Sequence, residues 1–218
     1  MTTMYTQPFS PMINQINNSK DSDAKLLTGL DDSARSIFIA QQYLNQPQQY
    51  LVIEPRHKQQ NELFEDLVSL LPDVPVLLFP NEESLAVMYS ISSLDNTAER
   101  VKALNALASG EPCIIVASSG ALRMRLTPVD RWKDALFTME IGMDIEREDL
   151  EKLFNQYGYR REGMVQSPGE YSIRGSIVDF YPLNADHPVR LDFFDTELDS
   201  IRLFNAETQE SMENIEQT

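Results

Sequence analysis

Three short runs of almost wholly apolar residues constrain the fold of the first half of this chain. They read YLVIE at 50–54, VLLF at 76–79 and CIIVA at 113–117. Apolar residues recur at helical spacing before and between them, over 33–44, 57–71 and 97–108. Strands that are buried on both faces lack the usual polar alternation, so this order predicts βαβ units around a parallel sheet. Residues 25–28 are predicted to add another short strand.

The second half predicts a different architecture. Residues 136–145 alternate as a half-buried strand does, and 146–157 have the spacing of an amphipathic helix. Strand-like stretches follow at 159–165, 171–181, 190–194 and 200–204, separated by turn-forming residues. This pattern is typical of an α+β unit with a mostly antiparallel sheet. We expect a flexible lead-in at 1–24, an α/β domain at 25–118, a smaller α+β domain at 119–206 and a linker at 207–218.

Composition excludes several classes of function. The 218 residues carry a net charge of −16, which disfavours binding to a phosphate backbone unless the cations gather on one face. The lone Cys113 excludes an internal disulfide and fits a reducing cytoplasm, and one cysteine with two histidines is too few for a usual structural zinc site. The apolar runs are too short to cross a bilayer, so no membrane partner is expected.

The first strand–turn–helix carries an imperfect phosphate-loop pattern. Gly29 is in the first position, but Ala34 replaces the second glycine and Arg35 the lysine, while Ser36 keeps the hydroxyl. Two aspartates fall where phosphate oxygens would lie, and a carboxylate about 4 Å from a phosphate costs about 1–4 kcal/mol. We therefore expect a helix N-terminus capped by Asp32 or Ser33, without nucleotide binding. No catalytic constellation is visible in the sequence.

The most distinctive stretch runs from GYRR at 158–161 through GEYSIRGSIVDFYP at 169–182 to VRLDFFDTELDSIR at 189–202. It closely resembles the UvrB-like N-terminal module of bacterial transcription-repair coupling factors (Mfd). TGLDDSARSIF at 28–38 is similar to the degenerate phosphate-loop region of that family, so the resemblance spans about 25–210. Because UvrB itself carries an intact phosphate loop, the resemblance favours Mfd over UvrB.

The resemblance implies a degenerate RecA-like domain followed by a domain that recruits UvrA to start nucleotide excision repair. It also implies an ATP- and Mg²⁺-dependent motor, contacts with RNA polymerase and DNA, and intramolecular masking contacts. All of these would reside in segments that this chain is too short to contain. We therefore expect a non-enzymatic, cytoplasmic fragment that needs no cofactor of its own.

The resemblance also implies a UvrA-binding role for Arg160 or Arg161 and for Arg174, with Phe180 in the same segment. UvrB has another arginine two residues before the IRG arginine, where this chain has Ser172. If 171–181 is one extended strand without a bulge at Gly175, Arg174 and Phe180 share one face. An arginine beside an aromatic ring is typical of interface hot spots.

Two alternatives remain open at this point. One is an ATP-binding, UvrB-like DNA-repair helicase module, which would use Arg35 toward the phosphates. The other is a domain that binds DNA directly, for which Arg123, Arg125 and Arg131 form a local basic stretch. Nucleotide titration distinguishes the first alternative from a protein-docking module, and salt-dependent DNA binding distinguishes the second.

Overall fold

A computed structural model describes residues 9–18, 24–81, 94–134 and 136–218. The chain divides into two compact units. One comprises the described residues up to Asn81 together with Ser109–Arg125, and the other those of Glu82–Ala108 together with Leu126–Thr218. No described helix is long and apolar enough to cross a membrane.

The first unit is built on a three-stranded parallel sheet. Its strands are β1 (Gln49–Glu54), β2 (Val76–Phe79) and β3 (Cys113–Ser118), in the order β1-β3-β2. Its helices are α1 (Ser10–Asn18), α2 (Asp32–Asn45) and α3 (His57–Leu70). All six residues of β3 are buried, as expected of a central strand without polar alternation. Apolar side chains of α2 and α3 pack on Ile114 and Val116 of this strand, so the predicted parallel α/β architecture is confirmed.

Two features of this unit differ from expectation or extend it. Residues 25–28 pair with no described strand, and Leu26 is almost fully exposed, so the predicted strand there is wrong. In the lead-in, α1 buries Ile13, and the Gln41 side-chain amide donates a hydrogen bond to Ser10. Residues 1–8 and 19–23 of the lead-in lie outside the described residues.

The second unit is built on a six-stranded sheet in the order β4-β5-β6-β7-β8-β9. Only the β4–β5 pair is parallel, so the predicted, mostly antiparallel sheet is confirmed. The strands are β4 (Arg160–Arg161), β5 (Glu170–Arg174), β6 (Ile177–Phe180), β7 (Val189–Phe194), β8 (Glu197–Phe204) and β9 (Ser211–Ile215). The helices are α4 (Leu94–Ser109), α5 (Val129–Asp134) and α6 (Arg147–Gln156). The last residue of α4, Ser109, is grouped with the first unit.

One face of this sheet, hereafter the inner face, carries the core of the unit. Leu150 and Phe154 of α6 pack against it, together with Met139. The core residues contributed by the strands are Tyr171, Val178, Phe180, Val189, Leu191, Phe193, Leu198 and Ile201. The opposite face, hereafter the outer face, carries mostly polar side chains, as described below.

Two segments at the edge of the sheet differ from the sequence-based expectation. Residues 136–145 do not form the predicted strand, because a turn at Gly142 (φ 87°) leaves only two isolated bridges, Glu140 with Gln217 and Asp144 with Glu197. Residues 207–218, expected to be a linker, contain β9, which pairs with β8. The division into units also groups α4 with the second unit, whereas the sequence suggested that 97–108 lies in the first.

Candidate protein-binding surface

The segment that carries Arg174 is a hairpin rather than one strand. β5 and β6 pair antiparallel with Arg174 opposite Ile177, so Gly175 and Ser176 form a two-residue turn. Gly175 has a φ of 62°, a conformation that glycine adopts without steric cost. The chain therefore reverses where the sequence suggested a continuous strand.

The hairpin places Phe180 on the inner face, opposite Tyr171. Its side chain is only 5% exposed, and its ring centroid lies 5.2 Å from that of Phe154 in α6. The expectation that Phe180 and Arg174 share an exposed face is therefore wrong. Phe180 is a core residue that supports the hairpin from beneath.

Arg174 lies on the outer face, next to a fully buried carboxylate. Nη2 of Arg174 donates to Oδ2 of Asp179 at 2.5 Å. Arg190 of β7 donates to the same carboxylate with Nε at 2.7 Å and Nη2 at 3.0 Å. The hydrogen bond to Asp179 raises the pKa of Arg190. The Arg174 side chain remains 51% exposed, so part of its guanidinium faces solvent.

The polar pattern continues across the outer face. Arg202 of β8 forms an ion pair with Asp192 of β7 at 3.2 Å. The Ser176 hydroxyl in the β5–β6 turn approaches the same carboxylate at 3.4 Å. Arg190 also lies over the Phe204 ring, 4.6 Å from its centroid. These contacts join the side chains of neighbouring strands across the outer face and add to the pairing of those strands.

The two arginines of β4 point to opposite faces. Arg161 pairs with Tyr171, an inner-face residue, and its Nη1 contacts Oε1 of Glu151 in α6 at 2.7 Å. Arg160 pairs with Glu170, which alternation places on the outer face with Arg174. Arg160 is exposed and forms no ion pair within the described part of the chain. Of the two, Arg160 therefore shares a face with Arg174.

The Tyr171 hydroxyl joins this edge of the sheet to α6. It lies 3.2 Å from Oδ1 of Asn155 and 3.5 Å from Oε1 of Glu151. Burial, and next the nearby Glu151 charge, raise the pKa of Tyr171, so the hydroxyl stays protonated and can donate. On the inner face, residues of α6 therefore already contact Arg161 and Tyr171.

Sequence reasoning missed two residues of this surface. Asp179 is an acid within an otherwise apolar strand, IVDF, and a buried acid there requires a cationic partner. That was the available signal. Phe194, at the end of β7, is 79% exposed while Phe193 beside it is buried. Adjacent residues of a strand point to opposite faces, so the Phe193-Phe194 pair was itself a signal for one ring on each face.

The residues of the degenerate phosphate loop engage side chains of their own unit. Asp31, rather than Asp32 or Ser33, caps α2, because its Oδ1 accepts from the Ala34 N–H at 2.8 Å. Arg35 forms ion pairs with the buried Glu54 at 3.1 Å and with Asp32 at 3.3 Å. The Ser36 hydroxyl donates to Asp66 at 2.7 Å. Gly29 precedes the helix with a φ of 82°.

Two further observations concern small ligands. The second unit contains a half-open cavity of about 660 Å³ lined mostly by aromatic and aliphatic side chains, among them Trp132, Phe154 and Tyr159. None of the side chains lining it is charged, so it offers no cation to a phosphate group. Among the described residues, no cluster of three or more histidine, cysteine, aspartate or glutamate side chains could hold a metal ion.

Comparison with known proteins bears on both units. Residues 137–218 match the family model of the UvrB interaction domain, and these residues include the whole six-stranded sheet. The chain is 39% identical over 207 residues to the transcription-repair-coupling factor of Bacillus subtilis (strain 168), covering 95% of this chain and 17% of that protein. It is 41% identical over 193 residues to the corresponding factor of Staphylococcus epidermidis (strain ATCC 12228 / FDA PCI 1200), covering 88% of this chain and 16% of that protein. The resemblance predicted from the sequence is confirmed, and the chain spans about a sixth of the length of these relatives.

Proposed function

We propose, from the similarity of this chain to transcription-repair-coupling factors, that it is a docking module that recruits UvrA in transcription-coupled nucleotide excision repair. The observation that carries the proposal is that Arg174 lies exposed on the sheet that matches the UvrB interaction domain. Its guanidinium is held by Asp179 and still offers N–H donors to a partner.

Arg174 is the central contact in this proposal, and Arg160 extends it along the outer face. At about 3.3 Å per residue, the four positions from Glu170 to Arg174 correspond to about 13 Å of strand. Both guanidinium groups then face the same way, toward carboxylates or carbonyl groups of UvrA. Arg161 contributes less, because α6 already occupies it.

The proposal is tested by titrating the chain with bacterial UvrA in a calorimeter. We expect saturable binding by the wild-type chain and an affinity about 30-fold weaker, or worse, for Arg174→Ala. Arg125→Ala is the matched control, because Arg125 is an exposed arginine of the other unit. Wild-type affinity in Arg174→Ala, with the fold intact by circular dichroism, would rule out this assignment of the contact.

We also propose that this module acts without binding or hydrolysing nucleotide. Arg35 and Ser36, which would have to face phosphates, already contact Glu54 and Asp66. An ATP–Mg²⁺ titration under the same conditions should give no saturable heat. Saturable ATP binding that Arg35→Ala abolishes would instead support the UvrB-like helicase alternative.

A further inference from the structure

Phe194 is the most exposed aromatic side chain among the described residues, at 79%. It ends β7, immediately before the tight connection to β8 that carries Asp195 at a φ of 60°. Its backbone pairs with Glu197 of β8, which places the residue at a defined position at the end of the strand. A single exposed ring is common on protein surfaces, so its place relative to the polar side chains of the sheet decides whether it can serve an interface.

Strand alternation places Phe194 on the outer face. Along β7, Val189, Leu191 and Phe193 are buried in the core, so Arg190, Asp192 and Phe194 face the other way. The ring is therefore on the face that also carries Arg174. This is the apolar group on the arginine-bearing face that Phe180 was wrongly expected to provide.

Phe194 and Arg174 also lie at the same end of the sheet. β5 and β7 run in the same direction, since each pairs antiparallel with β6, and both end here. The Phe193 N–H donates to the Ser176 carbonyl at 3.0 Å, which joins the end of β7 to the β5–β6 turn. Arg147 adds a cation next to the β7–β8 turn, since its Nη1 approaches the Asp195 carbonyl at 3.5 Å.

Exposure of the outer face increases toward this end. Asp179 and Ser172 are buried, and Arg174 and Phe194 beyond them are accessible. β6 separates the strands of the two residues, so they are neighbours on one exposed patch and not in contact. Aromatic and arginine side chains are the types most enriched among the residues that dominate binding energy in protein interfaces. Because Asp179 restrains Arg174, docking would cost little side-chain entropy there.

We propose that Phe194 is the apolar anchor of the docking surface, with Arg174 as the polar contact at the same end of the outer face. The partner then presents an apolar pocket for the ring and a carboxylate at the rim for the guanidinium. This inference rests on the proposed function, in which that partner is UvrA.

The test is calorimetric titration of UvrA with the wild-type chain, Phe194→Ala, Phe194→Leu and Met212→Ala. We expect Phe194→Ala to weaken affinity about 30-fold or more, and Phe194→Leu to weaken it less, because it keeps an apolar side chain. Met212→Ala is the matched control and should bind as the wild type does. Met212 is 53% exposed on β9, near the far end of the sheet, where Phe204 pairs with Ser211.

The outcomes separate this inference from the proposed function. No binding by the wild-type chain would remove both. Wild-type binding with an unchanged affinity for Phe194→Ala would overturn the anchor and leave the docking function standing. A chain that sediments as a dimer, and becomes monomeric with Phe194→Ala while UvrA affinity is unchanged, would identify a second copy as the occupant and also overturn the inference.

Discussion

Asp179 determines how two arginines of the outer face are presented. Asp179 is fully buried, and burying a carboxylate costs little only if cations and hydrogen-bond donors surround it. Arg190 fills that role from β7 with two donors, and Arg174 adds a third from β5. One anion shared by two guanidinium groups leaves a local excess of positive charge on a chain of net charge −16. The most accessible part of that excess is the Arg174 side chain.

Asp179→Asn is expected to lower the free energy of unfolding by about 3 kcal/mol. Removing one partner of a buried ion pair leaves the remaining charges uncompensated, which typically costs 3–5 kcal/mol, and the amide keeps part of the hydrogen bonding. Urea denaturation followed by circular dichroism measures the change.

Asp192→Asn provides the matched control for that measurement. Asp192 also pairs with an outer-face arginine, Arg202, but both side chains are about one-third exposed. Solvent screens such a pair, so the loss should stay below about 1 kcal/mol. Equal losses in the two variants would contradict the role assigned to burial at Asp179.

At the scale of elements, the β5–β6 hairpin shows where sequence reasoning stopped working. A two-residue turn keeps the period of two within each strand but shifts its phase. Ser172 and Arg174 therefore share a face with Ile177 and Asp179, rather than with Val178 and Phe180. The signal for the turn was the Gly175-Ser176 pair between two apolar stretches.

Other elements show the same division between local and non-local information. The three strands of the parallel sheet, and the helices α2 and α3 that pack on it, were predicted nearly to the residue. Apolar runs and helical stripes are local patterns, so the sequence alone reveals them. Residues 136–145 have the apolar–polar alternation of a strand, but a turn at Gly142 prevents a continuous strand. The partners of Asp179 lie 5 and 11 residues away on different strands. Only the strand register brings them together.

Gly175→Ala is expected to destabilise the second unit by about 1 kcal/mol. The φ of 62° is unfavourable for a residue with a Cβ, although no neighbouring atom lies within 4 Å of the added carbon. The cost would come from the backbone conformation alone, and thermal denaturation measures it.

Gly163→Ala is the control for the turn glycine. An added Cβ there also meets no atom within 4 Å, and Gly163 does not have a positive φ. Its stability should be unchanged or slightly higher, because alanine reduces the entropy of the unfolded chain. Loss of stability in this variant similar to that in Gly175→Ala would show that backbone conformation does not explain the effect.

At the scale of the whole molecule, the distribution of charge distinguishes a protein partner from a DNA partner. Arginines of the outer face engage Asp179 and Asp192, so much of their charge is compensated within the sheet. Such pairs suit a protein partner, which can compete for a few directed hydrogen bonds. They suit a phosphate backbone poorly, because binding there depends on the number of uncompensated cations.

We therefore expect the chain to bind duplex DNA no more tightly than about 10⁻⁴ M at physiological salt, the weak end of non-specific binding. Repulsion by a net charge of −16 opposes even that contact. Fluorescence anisotropy with a labelled duplex, read at two salt concentrations, provides the measurement. Micromolar affinity that falls steeply with salt would contradict this expectation and support the DNA-binding alternative. A double variant, Arg123→Ala and Arg125→Ala, would then show whether the exposed basic stretch supplies the contact. Removing a cation that neutralises a phosphate reduces the salt slope by about one.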